Sequence, residues 1–223
     1  MENGELEPRR TDEKDSLAAR RAAVFEAPQP ELYAETRAGT QLRLRPLAEG
    51  DIDAIVRACQ DPDTVRWTIV PHPYQRSDAE FFVHEHAPAV WRQGTGAVFG
   101  VIDDADEYGG TVELRLSPRD PLVGDLGFMI APHVRGRGYC PAAVTALCVW
   151  GFTNLGLARI EWRANVGNVA SRRAIEKAGF TFEGTARHAL DHRGVRTDAW
   201  VAALLPGDLA LTTGVGRPGD PNR

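Results

Sequence analysis

Cysteine is scarce, methionine scarcer, and long hydrophobic runs are missing: the 223 residues hold three Cys and two Met. The cysteines, Cys59, Cys140 and Cys148, are odd in number and show no Cys-x-x-Cys spacing. That excludes a disulfide framework and structural zinc, fits a reducing compartment, and leaves no metal site to expect. No apolar stretch approaches the roughly 18 residues that a membrane-crossing helix needs, so no membrane partner is expected. The opening Met1-Glu2-Asn3-Gly4-Glu5 is acidic and lacks an apolar core, so a cytoplasmic location without a secretory signal is expected. Positive charge is not in excess: 26 Lys and Arg against 31 Asp and Glu give −5. A nucleic-acid partner held by phosphate neutralisation is thereby excluded. The hydrophobic share of 43% is that of a packed domain, and the length suffices for one sizeable core.

Residues 1–38 are charged, mixed in sign and poor in periodic apolar positions, with Pro28 and Pro30 near their end. They are expected to form a flexible extension with a short helix at 14–25. Residues 207–223 carry the turn formers Gly214, Gly216, Pro218, Gly219 and Pro221 and are expected to be a disordered tail. The domain proper is then 39–206.

Inside it the hydrophobic period switches in an informative order. Leu42 and Leu44 alternate with Arg43 and Arg45, which predicts a strand. Asp51 precedes Ile52, Ile55, Val56 and Cys59, the apolar face of a capped helix. Ser77-Asp78-Ala79-Glu80 has the form of a capping box, and Pro88 should kink or end the helix it opens. Strands at 97–102, 111–116 and 125–131, with turns between them, predict an antiparallel meander. Asp103–Glu107 and Gly109-Gly110 supply the first of those turns. A helix over 141–155, a strand over 158–164 and a helix over 168–178 follow. The last strands are expected at 180–183 and 198–205, joined by a polar loop over 187–196. The order predicts an α/β (α+β) fold: one mixed, mostly antiparallel sheet with helices on both faces.

Two segments carry chemistry. Val134-Arg135-Gly136-Arg137-Gly138-Tyr139-Cys140 joins a strand to a helix. Such a glycine-rich turn aims consecutive N–H groups at one point, and the helix dipole adds positive potential there, a cradle for a diphosphate. About thirty residues on, Asn168-Val169-Ala170-Ser171 opens a helix that ends in Glu176-Lys177-Ala178-Gly179-Phe180. The ordered pair, over about residues 40–206, resembles the core of the GNAT superfamily of acyl-CoA-dependent N-acyltransferases. Its Asn-x-x-Ser resembles the branch that includes the acetyltransferases of ribosomal-protein N-termini. The family pattern places Gly or Ala where Cys140 stands, and a small or polar residue where Pro141 removes one N–H.

The resemblance implies acetyl-CoA as co-substrate, with a sheet splayed at an acyl-CoA cleft. It implies that the amides of Gly136, Arg137, Gly138, Tyr139 and Cys140 hold the diphosphate, with charge from Arg135 or Arg137. The backbone of Phe128, Met129 and Ile130 would pair with the pantetheine arm. Asn168 would bond its amides and Ser171 would lie near the thioester sulfur. The implied reaction is attack by a primary amine, a protein N-terminal α-amine or a small-molecule amine, on the thioester in a ternary complex. Because an α-amine has a pKa of about 8, a base must remove its proton. Glu113 and Asp125 are the candidates, with Ser171 as proton donor to the leaving thiolate. A homodimer is expected, because terminal strands in this superfamily often pair between subunits and 198–205 offers Trp200, Val201, Leu204 and Leu205 for that contact.

Two other classes remain open. One is a non-catalytic acyl-CoA-binding module. The other is a dinucleotide-dependent oxidoreductase, disfavoured because a meander precedes the loop and Pro141 stands where a third glycine belongs. His84-Glu85-His86 is not a zinc motif, and Asp103–Glu107 lacks calcium-loop spacing.

Overall fold

The computed structural model describes residues 8–212. Its elements run α1 (Pro8–Glu26), β1 (Leu32–Glu35), β2 (Gln41–Arg45), α2 (Ile52–Gln60), α3 (Pro62–Trp67), α4 (Arg76–Phe81), α5 (Ala87–Arg92) and β3 (Gly96–Asp103). There follow β4 (Tyr108–Leu116), β5 (Val123–Ile130), α6 (Tyr139–Leu155), β6 (Arg159–Asn165), α7 (Val169–Lys177), β7 (Thr181–His192), β8 (Val195–Leu204) and α8 (Pro206–Thr212). The strands form one sheet in the order β1-β2-β3-β4-β5-β6-β8-β7. Among the described residues only β5 and β6 pair in parallel; every other neighbour is antiparallel. The expected mixed, mostly antiparallel sheet and its meander are both present.

Alternation along the strands decides which helix covers which face. Leu42, Leu44, Phe99, Val101, Val112 and Leu114 are buried on one side, where Leu114 meets Gly151 of α6. Arg45 points to the other side, and its guanidinium grips Asp51, at the start of α2, at 2.7 and 2.9 Å. Asp51 therefore anchors α2 to the sheet rather than capping it; its Oδ2 also accepts the Ala48 N–H at 2.8 Å. Similarly, Asp78 accepts the Gln75 N–H at 2.7 Å, so the capping box begins at Gln75, not Ser77. Pro88 does not end its helix. A π-helical turn over Phe82–His86 precedes α5, and Pro88 sits in the first turn of α5 where its missing N–H has no partner to lose.

Three expectations need correction. The segment 1–38 is not wholly an extension. α1 begins at Pro8, packs on α6, and sets Arg21 Nε on the Leu155 carbonyl at 2.8 Å, a cation at a helix C-terminus. β1 joins the sheet edge against β2. Residues 1–7 and 213–223, with most of the expected C-terminal tail, lie outside the described residues, while α8 fills 206–212. The polar loop expected at 187–196 is instead the end of a long hairpin, β7–β8, turning at Arg193-Gly194. β8 itself is interior, paired with β6 on one edge and β7 on the other. It has no free edge for the subunit exchange that its apolar residues suggested.

Candidate acyl-transfer cleft

β5 and β6 pair only from Val123↔Arg159 to Leu126↔Trp162. Beyond that point β5 continues with β4 to Ile130, and β6 continues with β8 to Asn165. The two strands therefore part, and a cleft of about 1190 Å³ opens between them. That exceeds the roughly 300–1,000 Å³ of ordinary small-molecule sites and leaves room for two substrates. The Ala131 N–H donates to the Gly109 carbonyl at 2.9 Å. Bonding direction alternates along an antiparallel strand, so Phe128 and Ile130 turn their backbone groups into the gap. The Ile130 carbonyl takes Arg135 Nε at 3.1 Å. Phe128, Met129 and Ile130 all line the cleft.

The glycine loop stands at one end. Gly136 and Gly138 have φ of +77° and +86°, left-handed values that favour glycine, and a Cβ on Gly136 would meet no atom within 4 Å. The Arg137 N–H is taken by the Val134 carbonyl at 3.2 Å. The N–H groups of Gly136, Gly138, Tyr139 and Cys140 donate to no acceptor among the described residues. Four donors and an open concavity at the head of a 17-residue helix fit a diphosphate. Pro141, in that helix's first turn, removes a fifth. Tyr139 is buried under Gly109, whose added Cβ would lie 2.7 Å from its ring. Burial, then its 2.8 Å bond to Asp103, pushes the Tyr139 hydroxyl up to about 12, so it stays protonated and braces the loop. Cys140 lines the cleft wall, and burial pushes its thiol well above the usual range.

The two loop arginines differ. Arg135 reaches away from the cradle to Asp61 at 2.7 Å and to Thr64 Oγ1 at 2.8 Å, both in the first turn of α3. It is a strut between loop and helix. The Arg137 guanidinium stands 5.6 Å over the Tyr139 ring and pairs with no carboxylate among the described residues.

α7 packs against α6, on the Leu126 and Trp162 side of the sheet. Asn168 caps it, accepting the Ser171 N–H on Oδ1 at 3.2 Å. The Ser171 side chain is half-buried in the cleft wall, and its hydroxyl bonds to nothing among the described residues. The opposite face carries charge. Since Trp162 points toward α6, Glu161, Arg163 and Asn165 point the other way, beside Asp125.

Of the two expected bases, Glu113 lies on β4, one strand away from the opening, and does not line it. Asp125 does. Both grip Arg115, Glu113 at 2.8 Å and Asp125 at 2.5 Å. Burial lowers the Arg115 pKa, but those two carboxylates outweigh it and hold the guanidinium above its ordinary range. Glu161 bridges Arg159 and Arg163 at 2.9 Å each. Burial would raise its pKa; the two guanidiniums win and hold it below the usual carboxylate range.

Two features were missed in the sequence because 187–196 looked like loop. His192 lines the cleft, its Nδ1 is 3.1 Å from the Asn165 side-chain amide, and Asn165 Oδ1 accepts Thr197 Oγ1 at 2.5 Å. Arg193 reaches from the hairpin tip to three carbonyls around the end of α3: Val65 and Thr68 at 3.3 Å and Val70 at 2.9 Å. Trp67 comes within 3.5 Å of where a Gly167 Cβ would stand, so α3 and the residues after it roof the gap from one side to the other. The available signal was the Arg193-Gly194 pair, a two-residue hairpin turn with φ of +54° and +82°.

Comparison with known proteins agrees with this geometry. The profile of the Acetyltransferase (GNAT) domain matches residues 41–181. The Bacillus subtilis (strain 168) protein named "Putative ribosomal N-acetyltransferase YdaF" is 37% identical over 143 residues, 64% of this chain and 70% of that one. Among solved structures, Mycobacterium smegmatis RimJ in complex with CoA-disulfide superposes with a TM-score of 0.70 at 21% identity, covering 81% of this chain and 89% of that one. A GNAT-family acetyltransferase from Bacillus anthracis gives 0.65 at 22% identity, over 78% and 98%.

Proposed function

Because the chain belongs to the GNAT acetyltransferase family, and is thereby an acetyl-CoA-dependent N-acetyltransferase, we propose that it acetylates the α-amine of a protein N-terminus by direct attack in a ternary complex. The observation that carries this reading is the opposition of two surfaces across one gap. The cradle at the head of α6 and the hydroxyl of Ser171 belong to the α6–α7 side. Asp125, Glu161 and Asn165 project from the opposite face of the strands. Donor and acceptor can thus enter from different sides and meet at the fork, with no covalent relay through the protein; the three thiols are buried and their pKa values raised.

The chain's own groups divide the work. The free amides of Gly136, Gly138, Tyr139 and Cys140 hold the donor's diphosphate, and the gap-facing backbone of Phe128 and Ile130 pairs with its pantetheine arm. Ser171 Oγ donates a proton to the departing thiolate. Asn168 holds the start of α7, which sets the height of that hydroxyl.

An α-amine is favoured over a polyamine by the state of the acids. Polycations need unpaired carboxylates, whereas Asp125 and Glu161 are already held by Arg115, Arg159 and Arg163. The name of the 37% identical relative points the same way. Thiol release from acetyl-CoA, measured with a free-α-amine peptide, the same peptide blocked at its N-terminus, and spermidine, tests this directly. Turnover with the free peptide alone is expected; preference for spermidine or for the blocked peptide would refute the α-amine assignment.

A further inference from the structure

We propose that His192 is the proton acceptor on the amine side of the cleft, a role that rests on the acetyltransferase reading above but not on which amine is used. Three observations converge on it. First, the other bases along the gap are occupied. Asp125 is bound to Arg115, Glu161 to Arg159 and Arg163, Asp63 lies 3.7 Å from Arg135, and Asp191 accepts the Gly194 N–H at 2.8 Å. A carboxylate clamped by a guanidinium must give up that pairing before it takes a proton.

Second, His192 is held by a neutral relay instead. Its Nδ1 meets the Asn165 amide at 3.1 Å, and the other end of that amide is fixed by Thr197 at 2.5 Å. Turned end for end, the amide accepts from Nδ1–H and donates to the threonine hydroxyl, which then draws back from 2.5 Å to an ordinary N–H···O distance. In that arrangement Nε2 carries the free lone pair. Nε2 itself bonds to nothing among the described residues. Its neighbour Arg193 pins the hairpin tip to the end of α3, which holds the backbone that carries the ring.

Third, the side of the strand is right. Asn165 lies three positions beyond Trp162, the last residue of β6 paired with β5, on the face opposite α6 and α7. Ser171 serves the leaving thiolate from the α7 side. His192 therefore faces the gap from the side left for the amine.

The proton balance is complete with these groups. Nε2 takes one proton from the incoming ammonium, and the freed nitrogen lone pair forms the C–N bond while the carbonyl π pair moves to oxygen. When that pair returns, the C–S bond breaks and the thiolate leaves with its electrons. The nitrogen's second proton passes to the thiolate through Ser171 Oγ. The imidazolium then releases its proton to solvent. Imidazole suits the task because one ring nitrogen can accept a proton while the other stays hydrogen-bonded.

The test compares His192→Ala, His192→Gln and Asn165→Ala with the parent on whichever amine the parent acetylates. Both His192 variants should lose about 10²-fold in kcat, while acetyl-CoA affinity by calorimetry stays within about twofold. Added imidazole should restore part of the His192→Ala rate, which a structural defect would not allow. Asn165→Ala, which frees the ring without removing it, should lose less than either. A kcat within about threefold of the parent, a change confined to KM, or a loss that imidazole leaves untouched would overturn the assignment. A parent that turns over another amine but no peptide would refute only the α-amine reading and leave this test intact.

Discussion

Arg193 Nη2 donates to the Val70 carbonyl at 2.9 Å, tying the tip of the β7–β8 hairpin to the segment that follows α3. The same nitrogen lies 3.3 Å from the Val65 and Thr68 carbonyls, so one cation serves the carbonyl-rich end of a helix. These bonds are exposed and individually weak, but they close the roof over the acceptor side of the cleft.

Arg193→Ala should therefore act on the acceptor and not on the donor. KM for the amine is expected to rise by about three- to tenfold, equivalent to roughly 1 kcal/mol, with acetyl-CoA affinity unchanged by calorimetry. Arg193→Lys, which keeps a cation for the carbonyls, should recover part of the loss. Equal weakening of both substrates would mean that the hairpin has come apart altogether.

Arg135 makes the opposite kind of prediction, because the structure turns it from the phosphate cradle toward Asp61 and Thr64. Arg135→Ala and Asp61→Asn should lower Tm by similar amounts, and the double variant should lose less than the sum, the mark of residues coupled in one network. A large loss of acetyl-CoA affinity in Arg135→Ala that Asp61→Asn does not share would place Arg135 on the donor after all.

Ser171 separates its two parts cleanly. Its backbone N–H makes the cap bond to Asn168 and survives in Ser171→Ala, whereas its free hydroxyl does not. Ser171→Ala should keep its Tm and its acetyl-CoA affinity within a few-fold while kcat falls at least about tenfold. Asn168→Ala should instead cost on the order of 1 kcal/mol of stability. A normal kcat in Ser171→Ala would make that serine structural.

The salt bridges predict a direction in acid. Asp61 is held below the ordinary carboxylate range; burial opposes this, but the Arg135 and Thr64 hydrogen bonds prevail. Glu161 and Glu183 are lowered by Arg159, with Arg163 also acting on Glu161. A depressed native pKa stabilises the fold above the unfolded value, about 4, and that contribution disappears as pH falls through the native value. Chemical denaturation followed from pH 7 downward should therefore show stability falling below about pH 4.5. Releasing Glu183 from its partner with Arg159→Met should flatten that fall; an unchanged slope would show that these pairs contribute little, as exposed pairs often do.

The meander, the glycine turn before α6 and the start of α7 were legible in the sequence because each rests on local signals: alternation over 97–130, paired glycines between strand and helix, an Asn three residues before a Ser. Glu113 was misplaced because sequence gives the face of a residue but not its strand's distance from the fork. Arg135 was misread because its partner, Asp61, is remote in sequence. The His192–Asn165–Thr197 relay was invisible for the same reason, and because the hairpin around it is too polar to look like strand when both faces of its end meet water. A helix at 14–25 was expected, but its docking on the domain was not legible, because Phe25 finds its partner, Trp91, far along the chain.

The most direct test of the central claim, that the α6 cradle holds the acetyl donor, is a calorimetric titration of acetyl-CoA into the parent and into a folded Gly138→Val. Space is not the obstacle, since an added Cβ would meet Thr36 at an ordinary 3.6 Å. The obstacle is the φ of +86°, which a β-branched residue resists by roughly 1–2 kcal/mol and relieves by turning the loop amides. The account predicts a native-like circular dichroism spectrum, a Tm lower by a few degrees and acetyl-CoA binding weakened at least about tenfold, or 1.4 kcal/mol. Unchanged affinity in a folded Gly138→Val would remove the loop from the donor site and contradict the account.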